Sequence, residues 1–497
     1  MASRERSPAA GRRSSAACLR VLLTAVFLLL ASNAVAIGAA RDVPASGPFI
    51  APREPSSGYT LGEAVATAIR NFPTVKSARF KLRAAQADVT LAKTAYLPNL
   101  DLMLQEMVNT NNVIAGTILP QTIDVIPIQS GQERHGSTFS SRFGSNQGAN
   151  FNWLLYDFGL RHANVDLAKA ETRVQQGDVR LTELDVAFAA ADDYLTTVEA
   201  EQTIRAARAT FDRMRAAAMV VHTLVDTGLR PGVDAARADY EVSQAKIGLI
   251  QAERAAELSR VDLAERMGIA GTAIGVIGDP LVRRPPQRYF GSTDFDAHPL
   301  AIFRAAIVRR EAAKVHAIDR EWYPHVWLNS AIWGRGSGFG GGGSRVAGGI
   351  LPQAGNFAVG LTASFPVLDV FEIKAKKKKA LYMERAEKAN FDLAIQILEQ
   401  KDARARVLLT EAKRIADETP TLVAAAQENQ IKTLERYKVG LTNIVAVAEA
   451  ERLLAKAQVE DAIAQVEVWR SILAMGYVQG SLRPFLTLVA AAEGRTQ

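Results

Sequence analysis

Residues able to carry acid–base or metal chemistry are scattered along this sequence rather than clustered. The six histidines include no H-E-x-x-H pair or other recognisable ligand spacing; they are His135, His162, His222, His298, His316 and His325. The acidic pair Asp192-Asp193 has no second acidic cluster beside it, and no G-x-S-x-G or phosphate-binding glycine motif stands in a strand-turn-helix context. We therefore predict that the protein is not an enzyme and that it holds no metal and no cofactor.

The first 36 residues have the pattern of a secretory signal peptide. A basic segment precedes an apolar run of 11 residues, Val21 to Ala31, and the small-x-small sequence Ala34-Val35-Ala36 follows. A run of this length is too short to span a hydrocarbon core, which needs about 20 apolar residues. We therefore expect an exported mature chain without a transmembrane helix.

Removal of this leader changes what the composition implies. The formal charge of +7 loses five basic residues and one acidic residue and becomes +3, so the basic balance does not indicate a nucleic-acid partner. Cys18, the only cysteine, precedes the apolar run, which leaves the mature chain without disulfide, redox or cysteine–metal chemistry.

An internal repeat organises the rest of the chain. Two early prolines recur at an offset of 226, Pro73 as Pro299 and Pro98 as Pro324. The later matches, at an offset of 212, are Asp157 with Asp369, Gly228 with Gly440, Ala238 with Ala450 and Gly268 with Gly480. Because the offset changes once, by 14, the two halves differ by one insertion between Pro98 and Asp157, which we expect in a surface loop.

Four segments alternate apolar and polar residues with the period of a strand that has one apolar face. The apolar positions are Leu100, Leu102 and Leu104; Phe151, Trp153 and Leu155; Val326, Leu328 and Ile332; and Phe357, Val359, Leu361, Ala363 and Phe365. We predict two hairpins with strands of about ten residues, the length of a tilted membrane strand. Their tips, residues 109–149 and the glycine-rich 334–354, are expected outside the cell, although glycine-rich composition alone also fits a linker between domains.

A very long helix follows each hairpin. From Arg161 to about Leu224 no proline occurs, and small or apolar residues recur at alternating steps of four and three, the heptad pattern of a left-handed coiled coil. The stripe consists of Ala163, Leu167, Ala170, Val174, Gly177, Leu181, Leu184, Phe188, Ala191, Leu195 and Val198. Such a rod would run roughly 95 Å before the turns at Gly228 and Gly440 send the chain back.

Four strands cannot close a membrane barrel, for which eight is the usual lower limit. A barrel would have to be shared between chains, and three copies would supply twelve strands. We therefore predict a mainly helical fold with a β-barrel, in which a duplicated strand hairpin and long coiled-coil helix build a homotrimeric tunnel.

These features together resemble the TolC-type outer-membrane factor family, the outer membrane efflux proteins. The resemblance covers residues 59–482 and depends on the order and doubling of five sequences: YTLGEAVATAIRNFP, AYLPNLDL, FNWLLYDFGLRHANVDLAKAE, TGLRPGVDAARADYE and VGLTNIVAVAEAE. It implies a homotrimer with one barrel in the bacterial outer membrane and a helical tunnel in the periplasm. The implied partners are a periplasmic adaptor (membrane fusion) protein, an inner-membrane RND or ABC-type transporter, and outer-membrane lipid.

The resemblance also assigns roles to residues of the two turns. It implies adaptor docking at the turns themselves, namely Gly228, Leu229, Val439, Gly440 and Leu441. In the family, a tyrosine matching Tyr437 holds the closed state by bonding an aspartate matching Asp234. The arginine that helps this latch matches Thr442, and the two acids that line a narrow ring match Ala446 and Glu449, so only one acid remains.

Three residues or runs keep a second interpretation on sequence alone. Asp234 also fits the N-cap of a helix after Gly232, and Glu449 also fits an ordinary solvated helix residue. The lysines that open the second long helix fit a solvated face or a contact with anionic lipid headgroups. These lysines are Lys374, Lys376, Lys377, Lys378 and Lys379.

The predicted function is the exit duct of a tripartite efflux system. The alternatives are the exit duct of a type I protein secretion system and, in a different class, a periplasmic coiled-coil scaffold without a pore. The predicted segments are a signal peptide (1–36), a linker (37–58), a first repeat (59–270), a second linker (271–296), a second repeat (297–482) and a C-terminal tail (483–497).

Overall fold

The computed structural model describes residues 56–110, 141–286, 293–337, 351–352 and 354–494. The predicted signal peptide and the central parts of both predicted hairpin loops lie outside these residues. The boundaries of the predicted segments therefore stay predictions.

Helices of matching length recur along the described chain. They are α1 (Leu61–Asn71), α2 (Pro73–Thr94), α3 (Leu160–Asp226), α4 (Gly232–Arg266), α5 (Pro299–Arg320), α6 (Val370–Lys438), α7 (Ile444–Val478) and α8 (Arg483–Ala492). The pairs have 22 residues each in α2 and α5, 67 and 69 in α3 and α6, and 35 each in α4 and α7. The predicted duplication is confirmed in these lengths, and α1 and α8 stand outside the pairing.

The recurring prolines have a local structural role. Pro73 and Pro299 each occupy the first position of their helix, where a backbone N–H has no partner in the helix and the fixed φ of proline suits the start. The offset between them therefore marks the same helix start in both repeats.

Six strands form two sheets in the described residues. They are β1 (Ser56–Tyr59), β2 (Asn99–Thr110), β3 (Ser141–Tyr156), β4 (Ile274–Val276), β5 (His325–Ser337) and β6 (Ala354–Ser364). β1 and β4 pair in parallel, and the other four form an antiparallel sheet in the order β2-β3-β5-β6. In that sheet Leu100 lies opposite Phe151, Phe151 opposite Ser330, and Ser330 opposite Val359.

The two predicted hairpins are confirmed, but their strands are longer than predicted. β3 has 16 residues and begins at Ser141, and β5 continues to Ser337, so both extend into segments assigned to loops. The cause is that ladder hydrogen bonds join backbone groups and continue where apolar alternation has stopped. Ser145, for example, pairs with Glu106 on one side and Gly336 on the other.

The predicted heptad stripe faces the interior. All its members are buried or half-buried, and α3 contacts α2, α4, α5 and α7. The main core lies where the two repeats meet, around the fully buried Tyr194 and Trp469. The Tyr194 hydroxyl donates to the Tyr59 carbonyl (3.0 Å) and accepts from the Ile277 amide (3.1 Å), which ties the link between the repeats to α3.

The second long helix contains a proline that the first lacks. Pro420 lies inside α6 and leaves the carbonyl of Ala416, four residues earlier, without its helical donor. The side chain of Gln465 on α7 donates to that carbonyl at 3.3 Å. Within the described residues, no helix is long and apolar enough to cross a membrane.

Candidate functional site at the paired turns

The two turns that reverse the long helices have the same backbone geometry. Gly228 and Gly440 have φ of +78° and +86°. In the first turn the Leu229 amide donates to the Leu224 carbonyl, and in the second the Leu441 amide donates to the Arg436 carbonyl, both at 2.9 Å. This is the Schellman arrangement, in which a left-handed residue ends the helix. A glycine with a positive φ therefore ends both long helices.

The apolar side chains of the turns are turned away from the protein. Leu229, Val439 and Leu441 are 71%, 70% and 69% exposed. Behind them the two helical hairpins share a small core, separate from the main one, of Ala218, Val221, Ala238, Tyr437, Ile444 and Val447. We call this cluster the tip core. It joins the two repeats at the end farthest from the sheet along the long helices.

Tyr437 lies in the tip core and is completely buried. Its hydroxyl donates to Asp234 Oδ2 at 3.3 Å. Burial, and then the neighbouring Asp234 charge, raise the pKa of Tyr437 above its usual value, so the hydroxyl keeps its proton and acts as a donor. The structure thus brings together the two residues that the resemblance paired.

The N-cap interpretation of Asp234 is wrong. Helix α4 begins at Gly232 with Pro231 at the N-cap, which places Asp234 in the first turn of the helix. A carboxylate is favourable there because the amide groups of a helix start carry partial positive charge. The Asp234 side chain therefore remains available to the Tyr437 hydroxyl.

Arg230 is a residue of this site that the sequence interpretation missed. Its Nη2 donates to the carbonyl of Tyr437 at 2.6 Å and to the carbonyl of Thr442 at 3.3 Å. Its guanidinium also stands over the Tyr437 ring, 4.5 Å from the centroid. Arg230 and Asp234, both from the first turn, therefore hold the tyrosine of the second turn from two sides.

The internal repeat contained a signal that identifies Arg230. At the offset of 212, Thr442 matches Arg230. The arginine missing from the second turn is thus present at the equivalent position of the first turn. Thr442, predicted as the site of a lost latch, supplies the carbonyl that accepts from this arginine.

Glu449 lies on α7, beyond the second turn, and is paired within its own chain. Its two carboxylate oxygens accept from Arg452 Nη2 at 2.5 Å and from Arg452 Nε at 2.9 Å. The hydrogen bond from Arg452 lowers the pKa of Glu449, so the carboxylate stays ionised beside an equal positive charge. Ala446 contributes only its amide, which donates to the Asn443 N-cap side chain at 3.0 Å.

The described residues include no group of three or more histidine, cysteine, aspartate or glutamate side chains placed to hold a metal ion. The tip is instead a set of hydrogen bonds and ion pairs around one buried tyrosine. While these contacts are made they hold the two helical hairpins together, and the hairpins can separate only when the contacts break.

Comparisons with known proteins agree with this architecture. Residues 64–269 match the family model described as outer membrane efflux protein. The CmeC outer membrane channel of Campylobacter jejuni is 14% identical with a TM-score of 0.66, over 87% of this chain and 90% of that chain. The outer membrane protein VceC of Vibrio cholerae is 15% identical with a TM-score of 0.66, over 85% and 96%.

A third similar structure is the open state of the MtrE outer membrane channel of Neisseria gonorrhoeae. It is 15% identical with a TM-score of 0.62, over 85% of this chain and 89% of that chain. A comparison with curated protein sequences gives no match.

These matches confirm the predicted resemblance to the TolC-type outer-membrane factors. Residues 64–269 match the outer membrane efflux protein family model, and over most of its length the chain has the fold of outer-membrane channels. The family agrees with the predicted outer-membrane location and with the prediction that the protein is not an enzyme. The roles of individual turn residues stay predictions.

Proposed function

We propose that the protein is the outer-membrane exit duct of a tripartite efflux system. The observation that carries the proposal is a four-stranded sheet with two open edges and exposed apolar residues, attached to helices that run roughly 100 Å away from it. On β2, Leu100 and Leu102 are 65% and 82% exposed, and on β6, Phe357 and Val359 are 81% and 68% exposed. Side chains of this kind on a sheet of this size fit a lipid environment better than water.

The open edges support a homotrimer. β2 and β6 are the outer strands of the sheet, so each has one row of backbone groups without a partner in the described part of the chain. Such edges are satisfied in a membrane only by closure into a barrel. Pairing of β6 in one copy with β2 in the next would close a barrel of twelve strands from three chains.

The paired turns are proposed as the docking surface for a periplasmic adaptor protein. They lie at the opposite end of the long helices from the sheet, and they expose Leu229, Val439 and Leu441. Small apolar tips of this kind suit insertion between the helices of a partner. The adaptor would connect the duct to an inner-membrane RND or ABC-type transporter.

The tip core and its polar bonds are proposed as the gate. Separation of the two hairpins would break the bond from Tyr437 to Asp234 and both bonds from Arg230. These contacts would therefore favour a closed duct until a partner separates the turns. In this proposal Arg230 takes the part of the arginine that the family has at the position of Thr442.

Molecular size in detergent tests the assembly. A trimer that leaves the membrane only with detergent is the expected result, measured by light scattering on a size-exclusion column. A stable monomer in buffer without detergent would instead support the periplasmic scaffold and reject the duct.

Replacement of Gly440 by leucine tests the docking role separately. Its φ of +86° is unfavourable for a residue with a β-carbon, so the turn should deform while the distant barrel stays intact. We expect loss of efflux complementation with the trimer retained. Gly62 is a matched control, because it lies in a helix and a β-carbon there meets no atom within 4 Å.

A further inference from the structure

The lysine run at the start of α6 divides into two groups by its ion pairs. Lys376 bonds Glu321 at 3.3 Å and Glu372 at 2.9 Å, and Lys377 bonds Asp319 at 2.5 Å. Glu321 and Asp319 lie at the end of α5, so these two lysines join α6 to its neighbour. A structural role therefore accounts for two of the five lysines.

The other three lysines are not explained in this way. Lys374, Lys378 and Lys379 are exposed and form no ion pair with any described residue. Lys374 and Lys378 follow Phe371 at spacings of three and seven residues, and Tyr382 follows at eleven, so the four share one face of the helix. The helix dipole favours cations at the C-terminus of a helix, so it does not explain lysines near the N-terminus of α6.

An exposed apolar segment lies directly before these lysines. Phe365, Val367, Leu368 and Phe371 are 66%, 73%, 79% and 74% exposed. They connect the end of β6 at Ser364 with the first turn of α6. A solvated face would not require four large apolar residues beside it, whereas a membrane boundary places apolar and cationic residues next to each other.

The depth of the lysines fits the headgroup layer. Lys374 and Lys378 lie four and eight residues after the start of α6, about 6 and 12 Å along the helix. Each headgroup layer is about 5–8 Å thick, the difference between the whole bilayer and its hydrocarbon core divided between two sides. Flexible lysine side chains extend toward such a layer from helix positions just beyond it.

The first repeat has no such group at the same place. At the offset of 212, Lys374, Lys378 and Lys379 match His162, Asp166 and Leu167. The Asp166 carboxylate is itself paired with Lys169 at 2.9 Å and with His162 at 3.2 Å. The unpaired positive charge is therefore a property of the second repeat and not a requirement of the duplicated fold.

We propose that Lys374 and Lys378 form a binding site for anionic phospholipid headgroups at the edge of the membrane, with Phe365 and Leu368 against the acyl chains. The proposal rests on the proposed function, because it needs the sheet to lie in a bilayer. The ligand chemistry is a phosphate monoanion joined to apolar chains, as in phosphatidylglycerol. Charge complementarity selects this lipid over zwitterionic phosphatidylethanolamine.

The test compares two double variants that remove equal charge from the same run. K374Q/K378Q removes unpaired lysines, and K376Q/K377Q removes the lysines already paired with Glu321, Glu372 and Asp319. The detergent-purified full chain is mixed with equal amounts of phosphatidylglycerol and phosphatidylethanolamine, and retained lipids are counted by native mass spectrometry.

We expect the wild type to prefer phosphatidylglycerol over phosphatidylethanolamine. In K374Q/K378Q this preference should be weaker by about five-fold for each lysine removed. K376Q/K377Q should keep most of it, and the wild-type preference should fall as salt is raised. Equal loss in both variants, or no loss in either, would overturn the site. Displacement of the lipid by excess inorganic phosphate would also overturn it, because the ligand would then be free phosphate.

Channel conductance separates this site from the proposed function. A protein that conducts in planar bilayers but shows no lipid preference rejects the lysine site alone. A wild type that binds neither lipid and does not conduct rejects the membrane duct itself. Protection of Lys374→Cys from a bulky maleimide in the lipid-free trimer would show that a second chain covers the patch, which also rejects the site.

Discussion

The two repeats have the same backbone at their turns and different side chains. Gly228 and Gly440 share a left-handed conformation and the same pattern of closing hydrogen bonds. Yet Arg230 matches Thr442, and Asp234 matches Ala446. The first turn therefore supplies the charged groups, and the second supplies the buried tyrosine and the carbonyls that they bind. A duplicated element has become two complementary halves of one contact.

The junctions between sheet and long helix differ in the same way. In the first repeat the buried Arg161 bonds Asp157 at 2.9 Å and the carbonyl of Leu154 at 2.7 Å, and its guanidinium lies 4.7 Å from the centroid of the Tyr96 ring. In the second repeat the equivalent residue is Ile373, which packs in a small apolar cluster with Ile318 and Ala380.

The repeat preserves backbone geometry, while each copy has its own side-chain chemistry. Glycine is required where φ is positive, and proline is accepted where a backbone N–H has no partner. These backbone constraints are the same in both copies. A side chain is constrained only by its neighbours. The first junction is held by a buried ion pair, and the second by apolar packing and by the exposed ion pairs that Lys376 and Lys377 form with the end of α5.

Replacement of Arg161 should have the greatest effect, and it tests the first junction. Arg161→Leu should destabilise the protein by about 3 kcal/mol, because the buried Asp157 would lose its charged partner and keep only the amide donors of Gly159 and Arg161. Ile373→Leu at the matching position should cost less than about 1.5 kcal/mol, since the volume is conserved. Denaturant unfolding of the trimer in detergent measures both. Equal costs would show that the two junctions are held in the same way.

The next effect tests which turn supplies the latch. Arg230→Gln removes the charged group that donates to the carbonyls of Tyr437 and Thr442 and stands over the Tyr437 ring. Hydrogen bonds to charged groups contribute about 1.5–3 kcal/mol to the stability of the contact. We expect a higher single-channel conductance, with the trimer retained on a size-exclusion column. R230K, which keeps the charge but not the planar fork, should give an intermediate conductance.

An exchange variant sharpens this test. R230T/T442R moves the arginine to the matching position of the second turn, where the family has it. Because the two turns have the same backbone, we expect the double variant to restore part of the low conductance lost in R230T. If R230T alone leaves conductance unchanged, Arg230 is not part of the gate.

The duplication, the hairpins, the long helices and both turns could be predicted from the sequence because periodicity and glycine and proline positions are local signals. The bond from Tyr437 to Asp234 came only from the family resemblance. Arg230 was missed because its contacts depend on how the two turns meet, and the repeat marks only its position opposite Thr442. Arg452 was predictable, because it lies three residues after Glu449 on the same helix. The strand ends at Ser141 and Ser337 were missed because backbone hydrogen bonds between strands do not require the apolar alternation by which strands are predicted.

A smaller effect concerns charge selectivity. Glu449 alone predicts a negative ring, but Arg452 balances it within the same chain. We expect a wild-type duct with little preference between cations and anions. Glu449→Gln should shift the reversal potential toward anions and Arg452→Gln toward cations, measured in a salt gradient across a planar bilayer. A shift of the same sign in both variants would show that the pair does not face the pore.

The smallest effect is expected at His298, where the two repeats differ again at the start of α5. His298 matches Phe72, which caps its helix with no side-chain bond, whereas His298 Nδ1 accepts from the Leu300 amide at 3.0 Å. His298 Nε2 donates to the Tyr477 carbonyl at 3.1 Å, so the neutral ring is the form that satisfies both bonds. Burial lowers the pKa of His298; among nearby groups, the Tyr477 carbonyl and Asp185 oppose this shift, and Lys401 adds to it.

The sign of the pH dependence follows from that lowered pKa. Above pH 6.5, the ordinary value for histidine, folded and unfolded chains both hold a neutral ring, and the cap contributes fully. Below it the unfolded chain takes up a proton that the folded chain resists, so stability falls until the lower folded pKa is reached. His298→Asn keeps a capping acceptor but does not titrate, and it should cost about 1 kcal/mol at pH 8 through the lost bond to Tyr477. The melting-temperature gap between wild type and variant should therefore narrow as the pH is lowered from 8 to 5, and a constant gap would mean that His298 does not titrate differently in the folded chain.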